Sequence, residues 1–493
     1  MGLGILDPTI ATALGYVIVA LWLASVVIIL FLIFFERSDP RSIAIWMAVM
    51  LLLPAIGFFI YLCFGQTFYR RRHFVIKNLT DERIFKIKEE SLKELKKTKT
   101  LPEDDEEIRF AKSMMDAGMA FYSSNNKIDL CLTGEEFFRR MFADLRNAKK
   151  FIHAEYYIIR DDKLSNEFMD ILVQKALEGV EVKLMVDAVG FHKGLRKRIR
   201  ELRKAGGEFK LFHRAVTVLL SPKKNNRNHR KLLVVDGTVG YVSGFNIGDE
   251  YLGGGEEGKW RDTGLRVEGQ SVVAINLRFF MDWGYATRKH LDLNAESDEK
   301  YFSVDESAYH GDDVMQLISG GPDTKNNPVE MQYLKIISTA KKTLYIHTPY
   351  LAPSDNVMKG LILSASSGVD VRVIMPDRPD HLFVYWISIL NAEELMRSGV
   401  RIYRYKGGFV HSKTLVADEE YCSIGSANLD QRSMTLNFET NAMVYSQRIG
   451  KAMHEAFLTD LERCDEYSLE QYEKLTSWQN FKISVARLFS VWA

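Results

Sequence analysis

His229, Lys231 and Asp236 recur as His411, Lys413 and Asp418, because the segments HRKLLVVD and HSKTLVAD both read His-x-Lys-x4-Asp. In an extended strand positions i and i+2 share a face, so each His is expected to project beside its Lys. Asp236 and Asp418 have the wrong parity for that face, and Asp236 opens the turn-like DGTVG. The aspartates therefore belong to the site in a supporting role. Two imidazoles and two ammonium groups meeting at one point suit a phosphodiester. One His can attack phosphorus and form a covalent phospho-enzyme, dividing one difficult displacement into two easier ones. The other can protonate the leaving alcohol and then act as base on the incoming one.

Further groups stand at matching offsets. Asn246 and Asn428 each follow the motif Asp by ten residues and, with the lysines, can bind the non-bridging oxygens as charge builds. Each His needs an acceptor to orient it, and Asp262 in KWRDT and Glu439 in NFETN are the candidates. The likeness of the two segments leaves open which His attacks. Neither a metal nor a cofactor is expected.

The elements that position these residues repeat as well. FIHAEYYIIRDD answers to TLYIHTPYLAPSD, GVEVKLMVDA to GVDVRVIMPD, LRKAGGEFKLF to LMRSGVRIYRY, and YVSGFN to CSIGSAN. Apolar and alternating strands exchange with helical stretches such as residues 165–177 and 391–398, which predicts an α/β half used twice. Two homologous halves make a pseudo-twofold molecule in which equivalent residues can meet at the axis. The expected result is one site built from two half-sites.

Composition sets the surroundings. The 493 residues carry a formal charge of +1, which argues against a dedicated nucleic-acid binder. Cys63, Cys131, Cys422 and Cys464 are scattered and form neither a zinc motif nor a disulfide framework. Residues 10–35 and 43–64 contain no charged side chain, and each run exceeds the roughly 20 residues that cross a hydrocarbon core. A two-span hairpin anchor over residues 1–69 is expected. Arg70, Arg71, Arg72 and Lys77 follow it, so the positive-inside bias places the remainder in the cytoplasm. Residues 70–108 read as a charged linker, 109–300 as the first lobe and 301–493 as the second.

The doubled motif, with SGFN and GSAN after it, resembles the phospholipase D superfamily. The wider text, including HAEYYIIRDD, NNRNHRKLLVVDG, YLGGGEEGKWRDT, TPYLAPSD and GSANLDQRSM, is similar to bacterial cardiolipin synthases over essentially the whole chain. SGFN departs slightly, since the family's first half more often has two glycines there. The resemblance implies two α/β/α sandwich lobes and a metal-independent transphosphatidylation. One phosphatidylglycerol yields glycerol and a phosphatidyl-histidine, and a second resolves it to cardiolipin. It also implies His229 as nucleophile, His411 as acid/base, and a multi-pass protein of the bacterial cell membrane. Anionic membrane lipids are the expected partners, nucleic acid is not, and a homo-oligomer is compatible with the sequence. A hydrolase, or a transferase using another alcohol, would share the same half-sites. A non-enzymatic lipid-binding protein would be expected to have lost one motif, and both are intact.

Four other features each carry two readings. His153 and His347 either line the pocket or serve as hydrogen-bonded structural residues. RKRIRELRK (196–204), with Lys223, Lys224 and Arg227, is either a solvated face or a contact for acidic headgroups. HLFVYWISIL (381–390) is a core helix or an acyl-chain groove. Trp478, Phe481, Val485, Leu488 and Trp492 recur at helical spacing, either as an interfacial helix or as packing against the domain.

Overall fold

A computed structural model describes residues 8–35, 40–53, 56–57, 61, 106–118, 120–213, 226–256, 258–288, 300–302, 311–324 and 327–488. The chain forms two compact units, residues 1–75 with 214–226, and residues 76–213 with 227–493. Most of the charged linker, Lys223, Lys224 and Trp492 lie outside the described residues.

In the first unit α1 (Pro8–Phe35) packs against α2 (Pro40–Leu52). Within α1, Thr12–Leu30 is long and apolar enough to cross a bilayer, and its outward side chains include Tyr16, Val19 and Val27. α2 has 13 residues, and residues 54–55, 58–60 and 62–64 of the second apolar run lie outside the described residues. Among the described residues there is thus one helix of spanning length.

The second unit is built on one mixed sheet of 15 strands. Its first half contributes β1 (Tyr122–Cys131), β2 (Phe151–Tyr156), β3 (Glu181–Asp187), β4 (Glu208–Phe212), β5 (Leu232–Val235), β6 (Val239–Ser243) and β8 (Gly264–Gly269). The second contributes β9 (Asp313–Gly320), β10 (Thr343–His347), β11 (Asp370–Pro376), β12 (Arg401–Tyr405), β14 (Thr414–Ala417), β15 (Tyr421–Gly425), β16 (Glu439–Val444) and β17 (Cys464–Tyr467). The order is β17-β12-β11-β10-β14-β15-β16-β9-β1-β8-β6-β5-β2-β3-β4. Apart from the added edge strand β17, the order reads the same outward in both directions from the β9–β1 pair. That palindrome is the pseudo-twofold expected of a duplicated half. The half-sheets join edge to edge through β1 and β9, with a bulge between Ser123 and Asn126, so the two lobes share one continuous sheet.

Each half keeps three layers, and strand parity explains them. Ile152, Ala154 and Tyr156 of β2 pack with Phe168 and Leu172 of α5 (Lys163–Leu177) and Met141 of α4 (Gly134–Asn147). His153, between them, points to the other face, 2.8 Å from Asn276 and stacked on Phe279 of α7 (Ser271–Thr287). In the second half Leu344 and Ile346 of β10 join Val357 and Leu361 of α9 (Asp355–Ser366), while Tyr345 and His347 face Phe457 of α12 (Gln447–Leu461).

Candidate active site

β5 and β14 begin only after the lysines, so both His–Lys pairs precede the strands instead of lying within them. The backbone in front of each strand is engaged elsewhere. The N–H of His229 donates to the Phe438 carbonyl at 2.9 Å, and that of His411 to the Arg261 carbonyl at 2.8 Å. Asn228 bridges Phe438 in parallel, just as β13 (Phe409–Val410) pairs with β7 (Trp260–Arg261). The residue before each His is thereby paired in register with the residue before the acid of the opposite half. Gly408 permits the β7 contact, since a Cβ there would stand 2.1 Å from the Lys259 carbonyl.

The carboxylates are consequently exchanged between halves. His229 Nδ1 lies 3.0 Å from Glu439 Oε2 and 3.0 Å from the Ser426 carbonyl. His411 Nδ1 lies 2.6 Å from Asp262 Oδ2 and 3.3 Å from the Tyr251 hydroxyl. Glu439 is itself fixed by Ser426 Oγ at 2.5 Å and Asn437 Nδ2 at 3.1 Å, and Asp262 by the Thr263 N–H at 2.8 Å. A carboxylate on Nδ1 selects the tautomer in which Nδ1 donates and the Nε2 lone pair faces the reactant. Gly244 makes room for this in the first half, because a Cβ there would meet Asp262 Oδ1 at 2.1 Å.

Both lysines are buried, and each ammonium donates to the carbonyl of its own His, at 2.6 Å for Lys231. Lys413 Nζ also lies 3.7 Å from Asp262 Oδ2, and Lys231 Nζ stands 5.4 Å over the Tyr157 ring. Burial lowers Lys231 to about 7 and Lys413 to about 8, with Glu439 and Asp262 opposing the shift. Burial also depresses His229, and it takes His411 down to about 3 with help from the neighbouring Lys413. Lys413 acts on His229 and Lys231 acts on His411, so the two half-sites share one electrostatic field.

Of the expected site residues, the two His–Lys pairs, Asp262 and Glu439 come together. Asn246 joins them through Tyr251, to whose hydroxyl its Nδ2 donates at 3.3 Å. Asn428 Nδ2 donates to Asp430 at 3.0 Å, while its buried Oδ1 has no partner among the described residues. Asp236 and Asp418 stand apart, at the far ends of β5 and β14. Asp236 accepts from the N–H groups of Lys149, Lys150 and Phe151 at 2.6–2.9 Å, and Asp418 from those of Lys341, Lys342 and Thr343 at 2.7–2.8 Å. Both adopt a left-handed backbone, with φ of 55° and 53°. Their carboxylates hold the strand ends.

Other readings are decided by packing. His153 and His347 are structural: His347 bonds Thr414 Oγ1 at 2.9 Å and pairs with Asp460 at 3.2 Å. Arg227 is buried opposite Asp187 and so leaves the solvated basic face. Sequence reasoning passed over Ser426, Tyr251, Tyr157 and Arg230. Ser426 and Tyr251 stand in the GSAN and YLGGG stretches but have no repeat partner of the same type. Arg230, between His229 and Lys231, is fully buried, chelates Asp282 at 2.7 and 2.8 Å, and donates to the Gly320 carbonyl at 3.0 Å.

A duplicated α/β half that joins two His–Lys pairs across a pseudo-axis defines an enzyme of the phospholipase D class. The family described as "Cardiolipin synthase, PLD-like domain" matches residues 141–272 and 333–461, and "Phospholipase_D-nuclease N-terminal" matches residues 20–66. Cardiolipin synthase of Staphylococcus aureus (strain Mu50 / ATCC 700699) is 40% identical over 465 residues, covering 93% of both chains. That of Clostridium perfringens (strain SM101 / Type A) is 39% identical over 463 residues, covering 92% of this chain and 95% of the relative. The chain belongs to the cardiolipin synthase family of phosphatidyltransferases. At the level of fold alone, phosphatidylserine synthase of Haemophilus influenzae Rd KW20 aligns with a TM-score of 0.59 at 15% identity, covering 79% of this chain and all of the other.

Proposed function

We propose that the protein makes cardiolipin from two molecules of phosphatidylglycerol by double displacement at the crossed site. His229 Nε2 attacks the phosphorus of the first lipid. The bond to the glycerol oxygen breaks, and that oxygen takes a proton from His411, releasing glycerol. The terminal hydroxyl of a second phosphatidylglycerol then gives its proton to His411 and its oxygen to phosphorus. The P–N bond breaks, cardiolipin leaves, and His229 is restored. Lys231 and Lys413, with Asn246 and Asn428, hold the non-bridging oxygens.

The exchange of carboxylates carries this reading: each Nδ1 is held by the opposite half, and among the described residues neither Nε2 has a protein partner. The halves differ in a way that fits the roles. His411 has the shorter carboxylate contact, which suits the group that must carry a proton, while Glu439 divides itself among His229, Ser426 and Asn437. We further place spans at 10–35 and 43–64, a linker at 70–108, and lobes at 109–300 and 301–493. The catalytic unit is then cytoplasmic in a bacterial cell.

Purified protein given phosphatidylglycerol alone, with chelator and no nucleotide, is expected to form cardiolipin and glycerol. Phosphatidic acid with glycerol would instead identify a hydrolase.

A further inference from the structure

The C-terminal helix, α14 (Ser477–Leu488), has two apolar stripes, and only one is covered. Ile483 and Ala486 are buried against α10 (Leu382–Arg397), where Ala486 joins Ile387 and Trp386. Trp478, Phe481 and Val485 recur at i, i+3 and i+7 on a different side and are 63, 55 and 38% exposed. The Trp478 and Phe481 rings stack at 5.3 Å.

This outer stripe continues onto α10. Lys482 Nζ stands 5.1 Å from the Trp386 ring and 5.6 Å from that of Trp478, so one ammonium joins the two indoles. Leu382, one turn before Trp386 on the same helix face, is 70% exposed, and Phe383 beside it is 41% exposed. The helices run antiparallel: Tyr472 and Glu473, just before α14, act on Arg397 at the end of α10, whereas Lys482 reaches Trp386 near its middle.

α10 starts beside a narrow cleft lined by Tyr350, Asp380, His381, Tyr385 and Phe409. Packed rings connect the cleft wall to the site, for Phe409 lies 4.7 Å from Trp260 and Trp260 lies 4.9 Å from His411.

We propose that Leu382, Phe383, Trp386, Trp478, Phe481 and Val485 form a face by which the catalytic unit docks on a bilayer that holds its substrate lipid. Indole and phenyl rings that expose apolar area while basic stems lie among them match the boundary between headgroups and acyl chains. Lys482 and the exposed Arg487 supply charge complementary to an anionic lipid surface. The chain also carries a helix long and apolar enough to cross a bilayer. The proposal goes beyond the phosphatidyl transfer proposed above and relies on it only for the substrate being a membrane lipid.

The test compares full-length wild type with the triple variant Trp478→Ser, Phe481→Ser, Val485→Ser on two presentations of phosphatidylglycerol, vesicles and short-chain lipid dispersed below its micelle threshold. The variant is expected to lose about tenfold or more of its vesicle rate and to keep its dispersed-lipid rate within about twofold. An unchanged vesicle rate, or equal loss on both substrates, overturns the proposal. Should the variant misfold, brominated vesicle lipids decide instead: they should quench wild-type tryptophan fluorescence, and by a smaller fraction in Trp478→Phe. Equal quenching in the two proteins overturns it. A wild-type dimer that the triple variant breaks would assign the face to a second copy of the chain and likewise overturn it. Phosphatidic acid as sole wild-type product would sink the transfer reading, while the contrast between vesicles and dispersed lipid would still decide the docking face.

Discussion

His411 Nδ1 lies 2.6 Å from the Oδ2 of Asp262, a residue contributed by the opposite repeat. With His229 held in the same way by Glu439, neither half supplies both the motif imidazole and the carboxylate that holds it. Asp262→Asn and Glu439→Gln should therefore each lower kcat by about 10²–10⁴-fold, as loss of a tautomer-setting carboxylate does elsewhere. Steady-state turnover beside a thermal melt separates this from misfolding. A loss below threefold in a folded variant would contradict the account.

The buried ammonium groups set the alkaline behaviour. Folding lowers Lys231 to about 7 and Lys413 to about 8, so the free enzyme discharges both as pH rises through that range. Because kcat/KM reports ionisations of the free enzyme, loss of these two charges should steepen its fall above about pH 7–8. Stability should move the other way. Between the folded values and the ordinary 10.5 the unfolded chain binds more protons, so stability rises with pH there. His411 acts at the acid end, where stability is lost as pH falls from 6.5 towards 3. A kcat/KM profile that stays flat to pH 10 would contradict this assignment.

A phosphodiester brings a negative charge among depressed imidazoles and ammonium groups, and so favours their protonated forms. Binding of inorganic phosphate at neutral pH should therefore take up protons. Calorimetry in buffers of different ionisation enthalpy measures the number, and proton release on binding would be the wrong sign.

Asp236 and Asp418 test whether the third motif position acts on substrate or on the backbone. Asp236→Ala frees three N–H groups and should cost about 2 kcal/mol of stability. The folded fraction should keep kcat within about tenfold, in contrast to the histidine variants. Denaturant unfolding and turnover on the same preparation check both parts.

Arg230→Ala removes one of the two guanidinium partners of the buried Asp282 carboxylate, Arg278 keeping its two bonds, and should cost about 2–3 kcal/mol. The same change removes donors to the Glu439 and Gly320 carbonyls. Loosening between the halves should accompany it, read as faster amide exchange in β16.

The doubling and the paired His and Lys were legible because identical residue types recur at constant offsets, and the two acids because a carboxylate follows each motif at a comparable distance. The exchange of acids was not, since it depends on β7 pairing with β13 and Asn228 with Phe438, contacts between segments far apart in sequence. Arg230 escaped because charged residues beside a motif are usually solvated, and only the fold provides its buried partner, Asp282. The C-terminal helix packs against the domain by one stripe, and helical spacing could reveal a stripe but not which of two stripes meets a neighbour.

The most direct measurement is turnover of phosphatidylglycerol by His229→Ala and His411→Ala, each a change in one half only. A single joint site predicts that both lose about 10³-fold or more and that quenched wild type carries a phosphatidyl group on His229. Near-normal turnover in either variant would mean that each half works alone, and the shared centre would have to be abandoned.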